Sequence, residues 1–281
     1  MKNSCPICHS DSYKNHLEHG EVNYIRCKAC DMVYLKDMPS NETLARFYSK
    51  DFFNSQTDDF IKNSTQIRKE RLASIEALIP GKGRLLDIGC GQGYFLKEAK
   101  DKGWDAYGLD ISDYAARHSK KVAGVDIFLG HIHDARYEDS FFDVVTLWDV
   151  LEHTKDHIKI LNEVRRVLKK GGIVVASTPN AGSMDAICHK YKWPYFDFEK
   201  CGHILQFTPK TLKRSFKKCE FHIENISTRG SLDIRYVPSL WGVNLSNQFI
   251  LHLLDGLSGF LAKFTVPLKF GNIIILYATK C

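Results

Sequence analysis

The sequence predicts an α/β protein, a doubly wound and mostly parallel sheet carrying a small N-terminal zinc ribbon. Three observations lead there. Strand-like apolar segments alternate with helix-period segments from residue 84 to 178. A glycine-rich loop, DIGCGQG, follows the first of those strands. Two Cys-x-x-Cys pairs stand within the first 30 residues. At 281 residues, 44% hydrophobic and 26% charged, the chain can bury a core, which excludes disorder, collagen and coiled coil. The length suits one catalytic-size domain plus a smaller module.

The N-terminal module covers residues 1–36. Cys5 and Cys8 in CPIC are separated by 18 residues from Cys27 and Cys30 in CKAC. Two tight turns at that spacing can close a tetrahedral four-thiolate site between short hairpins, and Zn2+ is its usual occupant. Four thiolates leave no position open for water, so the expected zinc is structural; His9 could replace one thiolate. The alternative is two unrelated dithiols. Nine cysteines, an odd number, behind a start (MKNSCPICHS) that lacks the apolar core of a signal peptide, indicate a reducing, cytoplasmic setting without disulfides.

A helical linker, 37–80, holds two helix-like stretches. The second is marked by Ile67, Arg71, Leu72, Ile75, Leu78 and Ile79 and closes at PGKG, 80–83. The main domain, 81–281, reads as strands RLLDI (84–88), DAYGLD (105–110), VDIFLG (125–130), FDVVTLW (142–148) and GIVVAST (172–178), with helices from about Tyr94, from Ser112 and across 156–169. Residues 179–207 break the alternation with PN, WP and CGH, helical spacing returns over 208–219, and a strand-like NIIILYAT closes the chain at 272–279. A second irregular stretch, about 229–247, leads into an apolar helical period from Phe249 to Phe264. The two irregular regions, about 179–207 and 229–270, are the expected covers over a site.

In parallel sheets ligands bind at the carboxyl ends of the strands. After the first strand stand Asp87, Gly89, Gly91 and Gly93, where the backbone can approach a ligand closely. A pyrophosphate loop would need a third glycine where Tyr94 stands, and Asp87 disfavours phosphate. An acidic residue there suits positive charge, such as an amino-acid ammonium and a sulfonium. The second strand ends at Asp110, whose carboxylate can accept hydrogen bonds from both ribose hydroxyls. The competing role is a helix N-cap, since Ser112 and Asp113 begin the next helix; the glycine loop 17 residues upstream favours ribose.

On these motifs, RLLDIGCGQGYFLKEAK, YGLDIS, FFDVVTLWDVLEH and LNEVRRVLKKGGIVVASTPN, residues 84–178 resemble the class I S-adenosylmethionine-dependent methyltransferases. The resemblance implies a Rossmann-like sheet of seven strands with the last antiparallel. It places Gly89, Gly91 and Gly93 around the methionine end of S-adenosylmethionine, Asp110 on the ribose with Ile111 beside it, Gly130, His131 and Ile132 along the adenine, and Trp148 and Asp149 near the methyl group. The segment PNAGSMDAICHKYKWPYFDFEKCGHILQFTPKTL is similar to the covering region of a small-molecule branch that includes sugar and ubiquinone-precursor O-methyltransferases. A zinc ribbon ahead of such a domain resembles methyltransferases of deoxysugar and surface-polysaccharide biosynthesis. His9 and Asp31 depart from it, standing where those ribbons often carry glycine.

Methyl transfer to a hydroxyl needs in-line alignment and a group that takes the proton, and histidine suits neutral pH. His203 in CGHILQF is the first candidate and His153 in DVLEH the second, although His153 could only brace a helix start and His203 only hold the cover shut. Tyr195 and Asp197 are candidates for the substrate wall; Cys201 has no motif support as a nucleophile. The expected acceptor is a small molecule, such as a phosphate-bearing nucleotide-linked sugar.

A net charge of +6, with no interleaved aromatic and basic stripe, argues against nucleic acid. The main alternative is still a ribosomal-RNA base methyltransferase, which would carry an Asn/Asp-Pro-Pro-aromatic motif where LWDVLEH stands. A non-catalytic cofactor-binding protein is the third reading. No run approaches the length of a membrane span. The polar face of the apolar period (Gln248, His252, Asp255, Ser258) lacks positive charge and favours packing over the sheet or a second subunit, with peripheral membrane contact left open. Monomer and homodimer both remain open.

Overall fold

A computed structural model describes residues 4–19, 22–47, 58–230 and 258–281. The N-terminal module forms β1 (Tyr13–His19), β2 (Val22–Cys27) and β3 (Val33–Leu35), followed by α1 (Asn41–Phe47) and the long α2 (Asp58–Glu76). Then come β4 (Arg84–Ile88), α3 (Tyr94–Asp101), β5 (Asp105–Asp110), α4 (Asp113–Ala123), β6 (Phe128–Leu129), β7 (Phe142–Trp148), α5 (His157–Val167) and β8 (Leu168–Pro179). The remainder supplies α6 (Met184–His189), α7 (Phe198–Cys201), β9 (Leu205–Gln206), α8 (Pro209–Lys218), β10 (Phe221–Arg229) and β11 (Ile273–Lys280).

The main sheet has seven strands in the order β10-β11-β8-β7-β4-β5-β6. Only β11 runs antiparallel, against both β10 and β8. Successive side chains of a strand face opposite layers, and β4 shows it: Leu85 packs with Leu72 and Ile75 of α2 and Leu96 of α3, while Leu86 joins the layer of Leu161, Val164, Leu212 and Phe216 from α5 and α8. Each such buried side chain contributes about 1.5–3 kcal/mol.

Local chemistry sets the helix ends. Ser112 caps α4 by accepting from the Ala115 amide, and Gly124 closes it in the left-handed region. Thr208 and Thr211 form a reciprocal capping box at α8, with Pro209 in the first turn. Three segments differ from the periodicity. The expected strand over 125–130 is confined to Phe128–Leu129, because only these residues pair with Leu109 and Asp110 at the sheet edge. The helix expected across 156–169 stops at Val167, since Leu168 already pairs with Phe142. Strand β10 gave no periodic signal because it is the outer strand and only Phe221 and Thr228 of its residues are buried.

The four N-terminal cysteines sit on two turns of one shape. The His9 amide donates to the Cys5 carbonyl at 2.9 Å and the Asp31 amide to the Cys27 carbonyl at 3.0 Å. His9 and Asp31 have φ of 58° and 66°, the conformation that makes glycine frequent at such positions. Both also tie down to α8: Lys218 Nζ donates to His9 Nε2 at 3.0 Å and Lys210 Nζ pairs with Asp31 at 2.6 Å.

The small sheet is not confined to the N-terminus. Its order is β1-β2-β3-β9, so Val33 and Tyr34 pair with Gln206 and Leu205 of the segment that follows His203. Much of the apolar period expected over 249–264, and the irregular 231–247, lie outside the described residues. Residues 258–265 are helical, with Phe260 and Phe264 exposed, so these two side chains do not pack over the sheet, and the alternative of a second subunit stays open for them. No helix among the described residues is long and apolar enough to cross a membrane.

Candidate active site

The parallel strands bring the ends of β4, β5, β7 and β8 to one edge, where the loops after them meet. In the loop after β4, Gly89, Gly91 and Gly93 have φ of 68°, 51° and 80°. A Cβ on Gly89 would stand 2.7 Å from Val150 Cγ2, and one on Gly93 2.5 Å from Ser119 Oγ, so these two positions exclude any side chain for space as well as conformation.

Asp110 organises this loop. Its Oδ2 accepts from the Gly91 amide at 2.9 Å and its Oδ1 from the Ser112 amide at 2.8 Å. The N-cap role falls to Ser112, so the competing reading of Asp110 as a cap does not hold. Each carboxylate oxygen keeps a lone pair for a further donor. Burial raises the Asp110 carboxyl despite those amides. Asp87 lies one strand away, fully buried, its Oδ1 accepting from Thr146 Oγ1 at 2.6 Å. Burial pushes it up to about 7, with Thr146 and Arg71 working against the shift and Asp110 adding to it. Ile111 is 41% exposed at the open edge beside Asp110, and Ile132 is buried in the core. His131 is exposed, its ring stacked on His133 at 5.3 Å.

The end of β7 presents Trp148 and Asp149. Asp149 adopts φ 57°, a conformation costly for a side-chain-bearing residue and tolerated best by Asp and Asn. Ser177 Oγ donates to its Oδ1 at 2.9 Å, and Arg71 Nη2 pairs with its Oδ2 at 3.3 Å. The Arg71 guanidinium also lies 4.3 Å from the centroid of the Trp148 ring. The pattern of α2 placed Arg71 on a helix and gave no sign that it reaches this edge; a lone arginine in an amphipathic helix carries no such signal.

Beyond Asp149 the chain makes a single tight turn, Leu151–His153. The His153 and His203 rings meet edge to face at 4.6 Å, and the Tyr195 ring lies parallel to His203 at 5.6 Å. Three of the residues expected to face an acceptor, His153, His203 and Tyr195, are thus in one place. Asp197 instead turns to Lys200, at 2.9 Å. The Cys201 thiol donates to the Asp197 carbonyl at 2.9 Å, and burial pushes it up to about 12, the state of an unreactive thiol. Burial lowers His153 to about 4 and takes His203 well below the ordinary histidine range, so both rings are neutral at pH 7. Glu152, which the motif reading passed over as a neighbour of His153, is buried; burial drives its carboxyl well up, Asp149 adds to this, and the Thr178 hydroxyl works against it.

The N-terminal module holds this wall. Tyr24 Oη donates to the His203 carbonyl at 2.6 Å, and Gln206 Nε2 donates to the Tyr195 carbonyl at 2.6 Å and to Tyr24 Oη at 3.2 Å. The Leu35 amide donates to the Ile204 carbonyl, and the Ile204 amide to that of Glu152, both at 2.9 Å.

The cysteine cluster fits a metal. Cys5 and Cys30 sulfurs are 3.3 Å apart and Cys8 and Cys27 3.5 Å, and all four lie within 4.8 Å of one another. A tetrahedral zinc with bonds of about 2.3 Å needs sulfurs only slightly further apart than these pairs.

A seven-stranded sheet with a reversed last strand, glycines behind an acidic strand end, and a second acidic residue at the end of the next strand define a Rossmann-like methyltransferase fold. The profile of a family described as a methyltransferase domain matches residues 61–226. The chain belongs to this methyltransferase-domain family. A probable S-adenosylmethionine-dependent methyltransferase of Mycolicibacterium smegmatis is 34% identical over 97 residues, covering 34% of this chain and 38% of that protein. A ubiquinone biosynthesis O-methyltransferase of Paracidovorax citrulli is 32% identical over 127 residues, 41% of this chain and 52% of the relative. The chain therefore spans 38% and 52% of these two curated relatives. A methyltransferase structure from Archaeoglobus fulgidus shares the fold with TM-score 0.56 at 19% identity, covering 80% of this chain and all of that one.

Proposed function

We propose that the enzyme transfers a methyl group to a hydroxyl of a small-molecule acceptor, a nucleotide-linked sugar or surface-polysaccharide precursor. The observation that carries this reading is the wall of Tyr195, His203 and His153, set directly beyond Asp149 at the strand edge. An aromatic ring and two neutral imidazoles suit a polar, uncharged group better than a phosphate backbone or an exocyclic amine. A relative named as an O-methyltransferase supports the same choice.

Bound S-adenosylmethionine supplies an activated methyl on a sulfonium. The residues here that would hold it are the Gly89–Gly93 loop for its methionine end, Asp87 for positive charge, Asp110 with Ile111 for the ribose, the turn with His131 and Ile132 for the adenine, and Trp148 with Asp149 near the methyl. These residues bind and orient. His203 first, and His153 beside it, draw the proton from the acceptor hydroxyl. The four-cysteine module carries a structural zinc, and its work is to keep β9 and the His203 carbonyl in place. The site reading leaves the protein's setting as cytoplasmic.

The test is His203→Ala, assayed for methyl transfer and by titration calorimetry. Turnover should fall by about 10²-fold or more while S-adenosylmethionine affinity is unchanged. Turnover within a few-fold of wild type would remove His203 from the reaction.

A further inference from the structure

The groups facing the acceptor include one that methyl transfer to a hydroxyl does not by itself require. Glu152 is 1% exposed, and neither of its carboxylate oxygens has a partner at full hydrogen-bond geometry. A buried carboxylate left so is costly, and such groups in native proteins have a reason. His203 is buried beside it, with the Tyr195 backbone as a polar neighbour of its ring. Glu152, His153 and His203 each offer one ligand atom, and the three atoms lie within 4.8 Å of one another. Three donors around one octahedral ion with bonds of about 2.1 Å would stand about 3–4 Å apart, so small side-chain rotations close the set.

The surrounding bonds hold the three donors toward one point. The Glu152 carbonyl receives the Ile204 amide at 2.9 Å, and the His203 carbonyl receives Tyr24 Oη at 2.6 Å, so the two segments that bear them are fixed to each other and to the N-terminal module. His153 Nδ1 lies 3.3 Å from the Gly202 carbonyl. A bond from a histidine ring nitrogen to a carbonyl is the usual outer bond of a metal-binding histidine.

We propose that Glu152, His153 and His203 hold a divalent cation, on which the acceptor's hydroxyl docks as a further ligand. Two imidazoles and one carboxylate select ions such as Mn2+, Fe2+, Co2+ or Zn2+ over Mg2+ and Ca2+, which ask for oxygen. Three protein donors leave positions open, unlike the four-thiolate cluster. A hydroxyl bound to such an ion would release its proton to water more readily, and the two imidazoles would then serve as ligands of the cation in place of taking that proton themselves. An acceptor with adjacent hydroxyls, as sugars have, could occupy two open positions. The proposal rests on the acceptor reading above and specifies how that wall acts.

The experiment uses the full chain with its thiolate site loaded with zinc, and Mn2+ as the probe, since Mn2+ does not compete for thiolates. Electron paramagnetic resonance should count one bound Mn2+ per chain. Glu152→Gln, which keeps the side-chain volume, should weaken that binding by about tenfold or more. S-adenosylmethionine titration on the same samples confirms the fold. No bound Mn2+ in a protein that still binds S-adenosylmethionine, or equal binding by Glu152→Gln, would overturn the cation site and leave the methyltransferase reading standing. Failure to bind S-adenosylmethionine, or to methylate any hydroxylated acceptor with the cation present, would strike the underlying reading instead.

Discussion

The proposed cofactor edge and the proposed acceptor wall are built in opposite ways. At the edge, each functional group lies on or immediately after its own strand, within one stretch of alternating strands and helices: Asp87 and the glycines after β4, Asp110 after β5, Asp149 after β7. The bonds that shape its glycine loop, Gly91 to Asp110 and Asp110 to Ser112, join neighbouring segments of that stretch. The wall draws on three remote stretches. Tyr24, Leu35 and β3 come from the N-terminal module, Glu152 and His153 from the turn after β7, and Tyr195 and His203 from the cover. Parallel-sheet geometry alone can hold a cofactor, whereas the wall depends on a second small sheet closed around four cysteines. The two halves should therefore fail separately.

The largest separation is expected from breaking the cysteine cluster. Cys27→Ser should lower methyl transfer by about 100-fold or more through loss of the wall, as removal of a structural zinc unfolds small modules. S-adenosylmethionine affinity should stay within a few-fold, which calorimetry reads directly. The converse variant is Asp110→Ala. Losing a charged acceptor that shapes the glycine loop should weaken S-adenosylmethionine binding about 10- to 100-fold, while circular dichroism of the N-terminal module and its zinc content stay as in wild type.

One pH effect belongs to the edge. The Asp87 carboxyl, raised to about 7 in the folded chain, has an ordinary value of about 4 when unfolded. The folded cofactor-free protein therefore binds the extra proton between these values, and its stability from this group, complete below pH 4, is lost as pH rises through 7. A positively charged ligand favours the ionised form, so S-adenosylmethionine binding should release a proton near pH 7. Calorimetry in buffers of different ionisation enthalpy would show that release, and Asp87→Asn would abolish it.

The smallest change sharpens the comparison most finely. Tyr24→Phe removes one hydroxyl that joins the module to the His203 carbonyl and receives Gln206. Stability should drop by about 1 kcal/mol in denaturant unfolding. Turnover should fall a few-fold, with cofactor affinity unmoved.

The same contrast explains what the sequence made legible. The edge could be read because period, glycine spacing and acidic strand ends are all local, and Ser112 rather than Asp110 as the cap was the one local choice the motif left open. The cysteine spacing was legible for the same reason. The pairing of β9 with β3 was not, since two residues, Leu205 and Gln206, carry no strand signal and their partners lie far upstream in the chain. Arg71 reads as any helical arginine until α2 is seen to cross the end of β7. Glu152 had a faint signal, a carboxylate next to His153 directly after a strand end, but only burial among partners brought from elsewhere gives it meaning.

The most direct test of the two-part site is transfer of a labelled methyl group from S-adenosylmethionine to a panel of nucleotide-linked sugars, comparing wild type with Cys27→Ser at matched cofactor occupancy. The account predicts a labelled sugar from the wild type, and from the variant bound cofactor with little or no product. Label that appears only on RNA, or equal transfer by the variant, would contradict it.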